Sequence, residues 1–184
     1  MERRAFLKIS GSALINGAIA SMATVTGGVA LALPPAPNPR RLALVNTHTG
    51  DAFNDAYWAA GDHVPDALRA IAHVMRDHRS GEDHAIDPRL LDLLHDLHAS
   101  VGASAPYQII SGYRSPATNA ALHAQTTGVA SRSLHMDGRA IDIRISGIDL
   151  PRLRDAAIQM RRGGVGFYPD SDFIHVDTGR VRTW

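Results

Sequence analysis

Residues 133–145 read SLHMDGRAIDIRI, and this stretch predicts a β-strand with polar residues at and before its start. The isoleucines alternate with other residues at the period of two that is typical of a strand. Asp142 therefore lies on the face opposite the isoleucines. His135 precedes the strand, and Gly138 permits a tight turn between these two polar residues.

A second strand with similar patterning occurs near the end of the sequence, where residues 172–177 read DFIHVD. The alternation places His175 on one face together with Phe173 and Asp177, and the aliphatic residues on the other face. If the two strands are neighbours in one sheet, His175 and Asp142 point toward the same place.

Three of these side chains form a ligand set that suits Zn²⁺. His135, Asp142 and His175 supply two imidazole nitrogens and one carboxylate oxygen, and three protein ligands leave a fourth position for water. The sequence therefore predicts one zinc ion and a hydrolase. The same set also suits Fe(II) oxygenases, but these usually place the carboxylate two positions after the first histidine, whereas Asp142 follows His135 by seven positions.

Several motifs, taken together and in their order, resemble a known family. They are THTG at 47–50, IDPRLL at 86–91, SGYRSPATN at 111–119, SLHMDGRAID at 133–142 and DFIHVDTGRVRTW at 172–184. The sequence after about residue 40 is similar to bacterial zinc peptidases of the clan that contains the D-Ala-D-Ala peptidases, lysostaphin and the hedgehog domains. Within that clan it most resembles the murein endopeptidases of the MepK type.

The resemblance implies a metal site, a reaction and a substrate. His135, Asp142 and His175 would bind one zinc ion, and the enzyme would cleave peptide bonds in peptidoglycan. An endopeptidase acting on cross-links is favoured over a carboxypeptidase of the D-Ala-D-Ala type. A hedgehog-like domain that keeps the zinc ion and binds without turnover is a third alternative.

Three further residues are expected beside the metal. The motif at 111–119 predicts a strand end with a sharp turn at Gly112, which would place Tyr113 and Arg114 in a cleft. By the resemblance, Arg114 lies next to the zinc ion, where its guanidinium suits an oxyanion or a substrate carboxylate; the alternative is a surface salt bridge. Tyr113 and Ser133 are predicted to bind substrate, although Ser133 also fits a role in supporting the ligands or in ending a loop.

Two aspartates compete for the role of general base, which must move a proton from water to the leaving amine. Asp172 stands three residues before His175, where the related D-Ala-D-Ala peptidases carry a glutamate, so the resemblance favours it. Its parity is wrong for a straight strand, which predicts a loop or a bulge at this position. Asp177 has the right parity, but it also fits a role in orienting a ligand.

The remaining patterns predict an α+β fold with a small, mainly antiparallel sheet, helices packed on one side and the metal in a groove on the other face. By the resemblance, hedgehog-type domains have this arrangement. Strands are predicted at residues 41–46, 107–110, 140–145, 165–168 and 173–177. Helices are predicted to begin near Pro65, at Asp87 and Pro88, at Ser115 and Pro116 with an end at Gly128, and at Asp149 with an end at Gly163 and Gly164.

The start of the sequence predicts export. Arg3 and Arg4 precede a weakly apolar stretch, which is typical of a twin-arginine signal. We expect residues 1–32 to be this signal, 33–40 a proline-rich linker and 41–184 a zinc peptidase domain in the periplasm. An uncleaved signal would be the only attachment to a membrane.

Composition excludes several classes of protein. The 184 residues contain no cysteine, which excludes thiolate metal ligands and disulfides. The formal net charge is +1, and without Glu2, Arg3, Arg4 and Lys8 of the predicted signal it becomes −1, which does not fit a nucleic-acid-binding domain. The only partner expected is the peptidoglycan that the resemblance implies, and the sequence predicts no oligomeric state.

Overall fold

The computed structural model describes residues 38–125 and 130–184. The predicted signal, most of the predicted linker and the expected helix end at Gly128 lie outside these residues. Within them the strands are β1 Arg40–Asn46, β2 Ala52–Ala59, β3 Asp62–His63, β4 Tyr107–Ser111, β5 Ala140–Ile145, β6 Gly164–Tyr168, β7 Phe173–Asp177 and β8 Arg182–Thr183. The α-helices are α1 Pro65–Val74, α2 Pro88–Ser100, α3 Pro116–Gln125 and α4 Leu150–Met160. No helix in the described ranges is long and apolar enough to span a bilayer.

The strands form one sheet in the order β3-β2-β1-β4-β5-β7-β6-β8. Neighbouring strands are antiparallel, except that β1 is parallel to β4 and β6 is parallel to β8. The predicted α+β fold with a mainly antiparallel sheet is therefore confirmed. The sheet extends beyond the predicted strands, because β2 has an irregular pattern of buried residues and β3 and β8 have two residues each.

The hydrophobic core lies on one face of this sheet, where three helices pack. Ile143 of β5 and Ile174 of β7 are register partners, and both are buried in one cluster with the leucines of α2. In this layer α1 contacts β1 and β2, α2 contacts β1, and α4 contacts β6 and β7. The Tyr107 hydroxyl ties the sheet to α2 by donating to the Leu94 carbonyl at 2.9 Å. The other face of β5 and β7 is thereby left for polar side chains.

The predicted helix starts are confirmed. Asp87 caps α2, because its carboxylate accepts a hydrogen bond from the backbone N–H two residues later at 3.0 Å. Ser115 caps α3 in the same way, through the backbone N–H three residues later at 3.2 Å. Pro65 begins α1 and Asp149 directly precedes α4, as the sequence predicts.

The predicted end of α4 is wrong. The helix ends at Met160, and Arg161 adopts the left-handed conformation, with φ 52°, that we expected of a glycine. Gly163 and Gly164 lie instead at the start of β6, where a Cβ on either residue would overlap atoms of Asp177. These glycines are therefore required by close packing and do not cap the helix.

Candidate metal centre

Two of the predicted ligands face each other across neighbouring strands. Asp142 of β5 is the register partner of His175 of β7, and both side chains lie on the face opposite the core. The carboxylate Oδ1 of Asp142 is 2.9 Å from Nδ1 of His175. Both residues are buried, so the pair is largely shielded from bulk water.

The third predicted ligand, His135, enters from a turn of 3₁₀-helix before β5. The Ser133 hydroxyl caps this turn by accepting a hydrogen bond from the His135 backbone N–H at 3.4 Å. Gly138 ends the turn with φ 63°, a conformation that disfavours other residues. The Nε2 atom of His135 lies 3.2 Å from Nδ1 of His175 and 3.3 Å from Oδ1 of Asp142.

The three ligand atoms therefore form a triangle with edges of 2.9, 3.2 and 3.3 Å. In a tetrahedral zinc site, bonds of about 2.0–2.1 Å place neighbouring ligand atoms about 3.3–3.4 Å apart. The triangle fits one face of such a tetrahedron around a single small cation. In the described part of the chain, no other group of three metal-binding side chains comes this close together.

The outer nitrogens of both imidazoles are hydrogen-bonded, which fixes the tautomers of the rings. His135 Nδ1 donates to the Gly112 carbonyl at 2.6 Å, and His175 Nε2 donates to Asp177 Oδ2 at 3.0 Å. Each ring consequently turns a lone pair toward Asp142. Three acceptors at these distances repel one another, so a cation or a proton is needed to stabilise the arrangement.

The group shifts the pKa values of its members in opposite directions. Burial raises the pKa of Asp142, but the neighbouring His135 and His175 imidazoles, when protonated, hold this pKa below its usual range. Burial lowers the pKa of His175, but hydrogen bonds to Asp142 and Asp177 raise it above its ordinary value. The carboxylate is therefore ionised, and a metal ion competes with a proton for His175.

Asp177 is fully buried and saturated with hydrogen bonds. Its carboxylate accepts five, from the backbone N–H groups of Gly164 and Gly179, from His175 Nε2 and from both terminal nitrogens of Arg182. Burial raises the pKa of Asp177, but the hydrogen bonds from His175 and Arg182 lower it below its usual range. A carboxylate occupied in this way is suited to orienting His175 and poorly suited to taking a proton from water.

The three ligands line a groove of about 480 Å³ that also carries positive charge. Arg114, Arg132 and Arg182 all contribute to its lining. The terminal nitrogens of Arg114 make two long hydrogen bonds of 3.4 Å, and its Nε has no partner among the described residues. Burial lowers the pKa of Arg114, and the nearby charge of Asp142 opposes this change. The guanidinium is therefore held beside the metal-binding group with hydrogen-bonding capacity to spare.

Aromatic residues line the groove on the side of β6. Trp184 Nε1 donates to the Tyr168 hydroxyl at 2.7 Å, and the indole lies against the His175 imidazole with ring centroids 5.2 Å apart. Phe173 stacks on Tyr168 at a centroid distance of 4.7 Å. Gly166 leaves room for the indole, because a Cβ at that position would lie 2.7–2.8 Å from its ring atoms. The groove thus combines an aromatic side with cationic groups.

Three of the predicted site residues do not line this groove: Asp172, Tyr113, and Asp177, which is buried behind His175. Asp172 lies just before β7 in a left-handed conformation with φ 52°, and its exposed carboxylate accepts a hydrogen bond from Arg144 Nη1 at 2.9 Å. Tyr113 is buried and stacks on His84 with ring centroids 4.6 Å apart. Ser133 does line the groove, in addition to capping the 3₁₀ turn.

Known proteins match this chain over nearly its whole length. A family model described as peptidoglycan L,D-endopeptidase MepK matches residues 34–184. The chain is 42% identical to peptidoglycan L,D-endopeptidase MepK of Escherichia coli (strain K12) over 171 residues, which make up 93% of this chain and 94% of that protein. It is 40% identical to the probable peptidoglycan L,D-endopeptidase MepK of Haemophilus influenzae over 169 residues, 91% of each chain.

The chain belongs to the MepK family. It is therefore a metallopeptidase, and the group of His135, Asp142 and His175 has the geometry to hold the metal on which this family depends. The resemblance that the sequence motifs indicate is confirmed.

Several residues that shape the site of this MepK-family peptidase were not predicted as site residues from the sequence. Asp77 is buried beneath the loop that holds Arg114, and its carboxylate accepts hydrogen bonds from the backbone N–H groups of Ser115 and Arg79, each at 2.9 Å. Trp184 belongs to no strand or helix of the sheet and reaches the groove only through tertiary packing. Tyr168 does have a signal in the sequence, because residues two apart in a strand lie on one face. It therefore shares a face with Gly166, which is the register partner of His175.

Proposed function

We propose that this chain is a zinc-dependent murein endopeptidase, which hydrolyses peptide bonds in the cross-links of peptidoglycan. The observation that carries the proposal is the triangle of His135, Asp142 and His175, whose three lone pairs converge in an open groove. The relatives named peptidoglycan L,D-endopeptidase MepK support the choice of substrate.

The chemistry of the ligands supports zinc as the metal. Two imidazole nitrogens and one carboxylate oxygen suit Zn²⁺, whereas Mg²⁺ and Ca²⁺ prefer oxygen ligands alone. Catalytic zinc sites typically have three protein ligands and one open position, and the open side of this triangle faces the groove. Metal analysis of the purified protein, with Fe²⁺ as the main competitor, tests this assignment.

Residues around the triangle position the reactants. Zinc, when bound, supplies a Lewis acid for the peptide carbonyl and a water molecule of lowered pKa. Asp177 holds His175 through its Nε2, and the Gly112 carbonyl holds His135 through its Nδ1. Both imidazoles therefore keep a single orientation. Arg114 offers its guanidinium to a substrate carboxylate or to the carbonyl oxygen that gains negative charge.

We propose Asp172 as the general base and Asp177 as the residue that orients His175. In the structure Asp172 is held by Arg144, outside the groove. Exposed ion pairs of this kind contribute about 0–1 kcal/mol, so releasing the carboxylate requires little free energy. Asp177 has no comparable freedom, because it is buried and saturated with hydrogen bonds.

The two residues proposed to bind substrate are placed differently. Ser133 lines the groove and is available for contact with a stem peptide beside the metal-binding group. Tyr113 would have to leave its stack with His84 to make such a contact. For Tyr113 an indirect role, in fixing the loop that carries Arg114, agrees better with its burial.

We further propose that the protein is exported, since its proposed substrate lies outside the cytoplasm. The paired Arg3 and Arg4 support a twin-arginine signal in residues 1–32, followed by a linker at 33–40 and the peptidase domain at 41–184. The start of β1 at Arg40 and the start of the family match at residue 34 agree with this division. Replacement of both arginines by lysine should trap the protein in the cytoplasm, which cell fractionation would detect.

The experiment that tests the proposed function uses intact cross-linked murein. We would incubate it with the purified protein, either loaded with zinc or stripped by a chelator, and resolve the released muropeptides by mass spectrometry. We expect zinc-dependent loss of cross-linked dimers, and no loss with the His175→Ala variant. The masses of the products identify the bond that is cut.

The same experiment separates the alternatives. Release of terminal D-alanine with intact cross-links would indicate a carboxypeptidase of the D-Ala-D-Ala type. Unchanged murein in the presence of stoichiometric bound zinc would indicate a hedgehog-like binding domain without turnover. Either outcome would overturn the proposed endopeptidase activity.

A further inference from the structure

Tyr168 is placed at the edge of the metal-binding groove. It is the last residue of β6, two positions after Gly166, and it lies on the same face of the sheet. Gly166 is the register partner of His175, so the Tyr168 side chain stands one side-chain position along the strand from a proposed ligand. It lines the groove together with the three ligands.

The hydroxyl of Tyr168 is oriented by a single hydrogen bond. Trp184 Nε1 lies 2.7 Å from the phenol oxygen. An indole N–H is a donor only, so the phenol oxygen must accept this bond and its own proton must point elsewhere. Among the described residues, no acceptor for that proton is found. Tyr168 therefore presents a free O–H donor at the groove.

Trp184 is itself held in place, which makes the donor preorganised. Its backbone is hydrogen-bonded to the β6 residues on either side of Gly166: Trp184 N–H donates to the Val165 carbonyl at 3.3 Å, and the Trp184 carbonyl accepts from Phe167 N–H at 3.0 Å. The guanidinium of Arg182 lies over the indole, 4.8 Å from the ring centroid. The space above Gly166 receives the ring. In the folded protein these contacts place the indole N–H against the phenol oxygen.

Arg114 supplies a second hydrogen-bond donor in the same groove. Both side chains line the groove that contains the metal-binding group. A neutral O–H and a cationic guanidinium are complementary donors for one oxygen atom, since they can approach it from different sides. Peptide hydrolysis creates such an oxygen when the carbonyl is attacked.

We propose that Tyr168 is a catalytic hydrogen-bond donor, whose hydroxyl is aimed by Trp184 at the carbonyl oxygen that gains negative charge during peptide hydrolysis. This inference rests on the proposed function. It gives the aromatic side of the groove a chemical role, because Trp184 acts as a positioning residue for Tyr168. It also predicts that the two residues act as one unit.

The test compares variants on a soluble cross-linked stem dimer with zinc bound. Tyr168→Phe removes only the hydroxyl, and we expect kcat to fall by about 100-fold with KM and zinc content nearly unchanged. Trp184→Phe should lower kcat by a smaller factor, because the hydroxyl remains but can rotate. The double variant should be no worse than Tyr168→Phe. Tyr57→Phe, which removes a hydroxyl bonded to Asp92 away from the groove, is the matched control.

Two further measurements do not depend on turnover. A phosphinate pseudopeptide mimics the charged oxygen, so Tyr168→Phe should weaken its binding by about the same factor as kcat, while binding of an uncleaved stem tripeptide stays constant. In the metal-free protein, Tyr168→Phe should shift the emission of Trp184 in a Trp58→Phe background, because the indole loses its acceptor.

The outcomes distinguish this inference from the proposed function. If the unaltered protein does not cut the stem dimer or murein, the proposed function fails. If it does, but Tyr168→Phe keeps kcat within twofold or changes only KM, the role of Tyr168 is overturned. Equal weakening of phosphinate and tripeptide binding would also overturn the role of Tyr168. Such a result would show that Tyr168 binds the uncleaved substrate as strongly as the charged intermediate.

Discussion

Arg182 holds Asp177 by a two-point ion pair, with Nη1 3.2 Å from Oδ1 and Nη2 2.7 Å from Oδ2. The second oxygen also accepts the hydrogen bond from His175 Nε2. Arg182 therefore fixes the carboxylate that fixes the imidazole, and its own guanidinium lies over Trp184. A single arginine links the metal-binding group to the aromatic side of the groove.

Asp177→Asn should weaken zinc binding without removing a ligand. The amide is neutral and has one acceptor oxygen in place of two, so it cannot hold both the imidazole N–H and the guanidinium as the carboxylate does. His175 therefore loses its fixed orientation and part of its basicity. Loss of such a partner typically lowers metal affinity by about 10–100-fold. Competition with a chromophoric chelator measures the effect. Asp172→Asn is the matched control, and zinc affinity equal in both variants would contradict the orienting role.

His175→Ala should abolish stoichiometric zinc binding and turnover together. The substitution leaves two ligands, and the lone pairs of His135 and Asp142 no longer suffice for a tetrahedral site. Inductively coupled plasma mass spectrometry after dialysis measures bound metal. His73→Ala changes an exposed histidine paired with Asp83 and should keep both zinc and activity. Retention of one zinc ion by His175→Ala would show that the metal binds elsewhere.

The sequence predicts the layout of the fold where the alternation of residues is regular. In β5 and β7 the isoleucines and polar residues alternate cleanly, so the faces of Asp142 and His175 follow from parity. Their pairing does not, because parity does not say which strands are neighbours or in which register they lie. Helix starts follow from local chemistry, as at Asp87. The strand β2 does not follow, because its buried residues do not alternate at the period of two that predicts a strand.

The surroundings of the metal are less visible in the sequence. Asp172 has the spacing expected of a base, but spacing along the chain does not reveal the left-handed backbone that turns it toward Arg144. Trp184 and Asp77 reach the site through tertiary packing alone. Such contacts join segments far apart in the chain, so no local pattern encodes them.

Gly163→Ala and Gly166→Ala should have opposite consequences, although both introduce one methyl group. At Gly163 the new Cβ would overlap the backbone carbonyl of Asp177, which cannot move without disrupting β7. We expect a loss of about 3 kcal/mol in the free energy of unfolding. At Gly166 the Cβ meets the indole of Trp184, which is about half exposed and can be displaced.

Chemical denaturation and fluorescence test this pair of variants. Gly166→Ala should cost only about 1 kcal/mol, shift the emission of Trp184 and lower kcat as the Trp184 variants do. Equal stability of Gly163→Ala and Gly166→Ala would contradict the prediction that the two variants differ. It would show that the overlap with the Asp177 backbone costs no more than the overlap with the exposed indole ring.

Asp77→Asn should destabilise the protein in a pH-dependent manner. Burial raises the pKa of Asp77, but hydrogen bonds from Thr118 and from the Ser115 backbone outweigh burial, and the net pKa lies below its usual range. A depressed carboxylate pKa contributes stability above the unfolded pKa of about 3.9, and this contribution is lost as the pH falls through the folded value. We expect a loss of about 1–3 kcal/mol at pH 7.

Urea denaturation between pH 7 and pH 2 tests whether the stabilisation by the ionised Asp77 carboxylate is lost as the pH falls. The gap in unfolding free energy between the unaltered protein and Asp77→Asn should narrow below about pH 4, because the unaltered carboxyl also becomes neutral. A gap that stays constant or widens toward low pH would mean that the charge of Asp77 contributes nothing, and that the variant acts through packing alone.

Asp172 and Arg144 provide the sharpest test of the proposed general base. If the carboxylate must leave Arg144 to act, Asp172→Asn should lower kcat by about 100-fold or more while zinc affinity stays constant. Arg144→Gln removes the partner in the ion pair and leaves the carboxylate free, so kcat should stay within a few-fold of the unaltered value. Both substitutions change an exposed pair and should alter stability by less than about 1 kcal/mol.

The two variants must be compared on the same murein substrate, because a shared loss of activity has a different meaning from a loss in one alone. If Asp172→Asn loses activity and Arg144→Gln does not, the result supports Asp172 as the general base. Equal losses in Asp172→Asn and Arg144→Gln would show that the ion pair itself fixes the loop before β7, so that Asp172 acts on Phe173 and His175 through the backbone. Full activity of Asp172→Asn would remove it from the mechanism and move the search for the base to the groove itself.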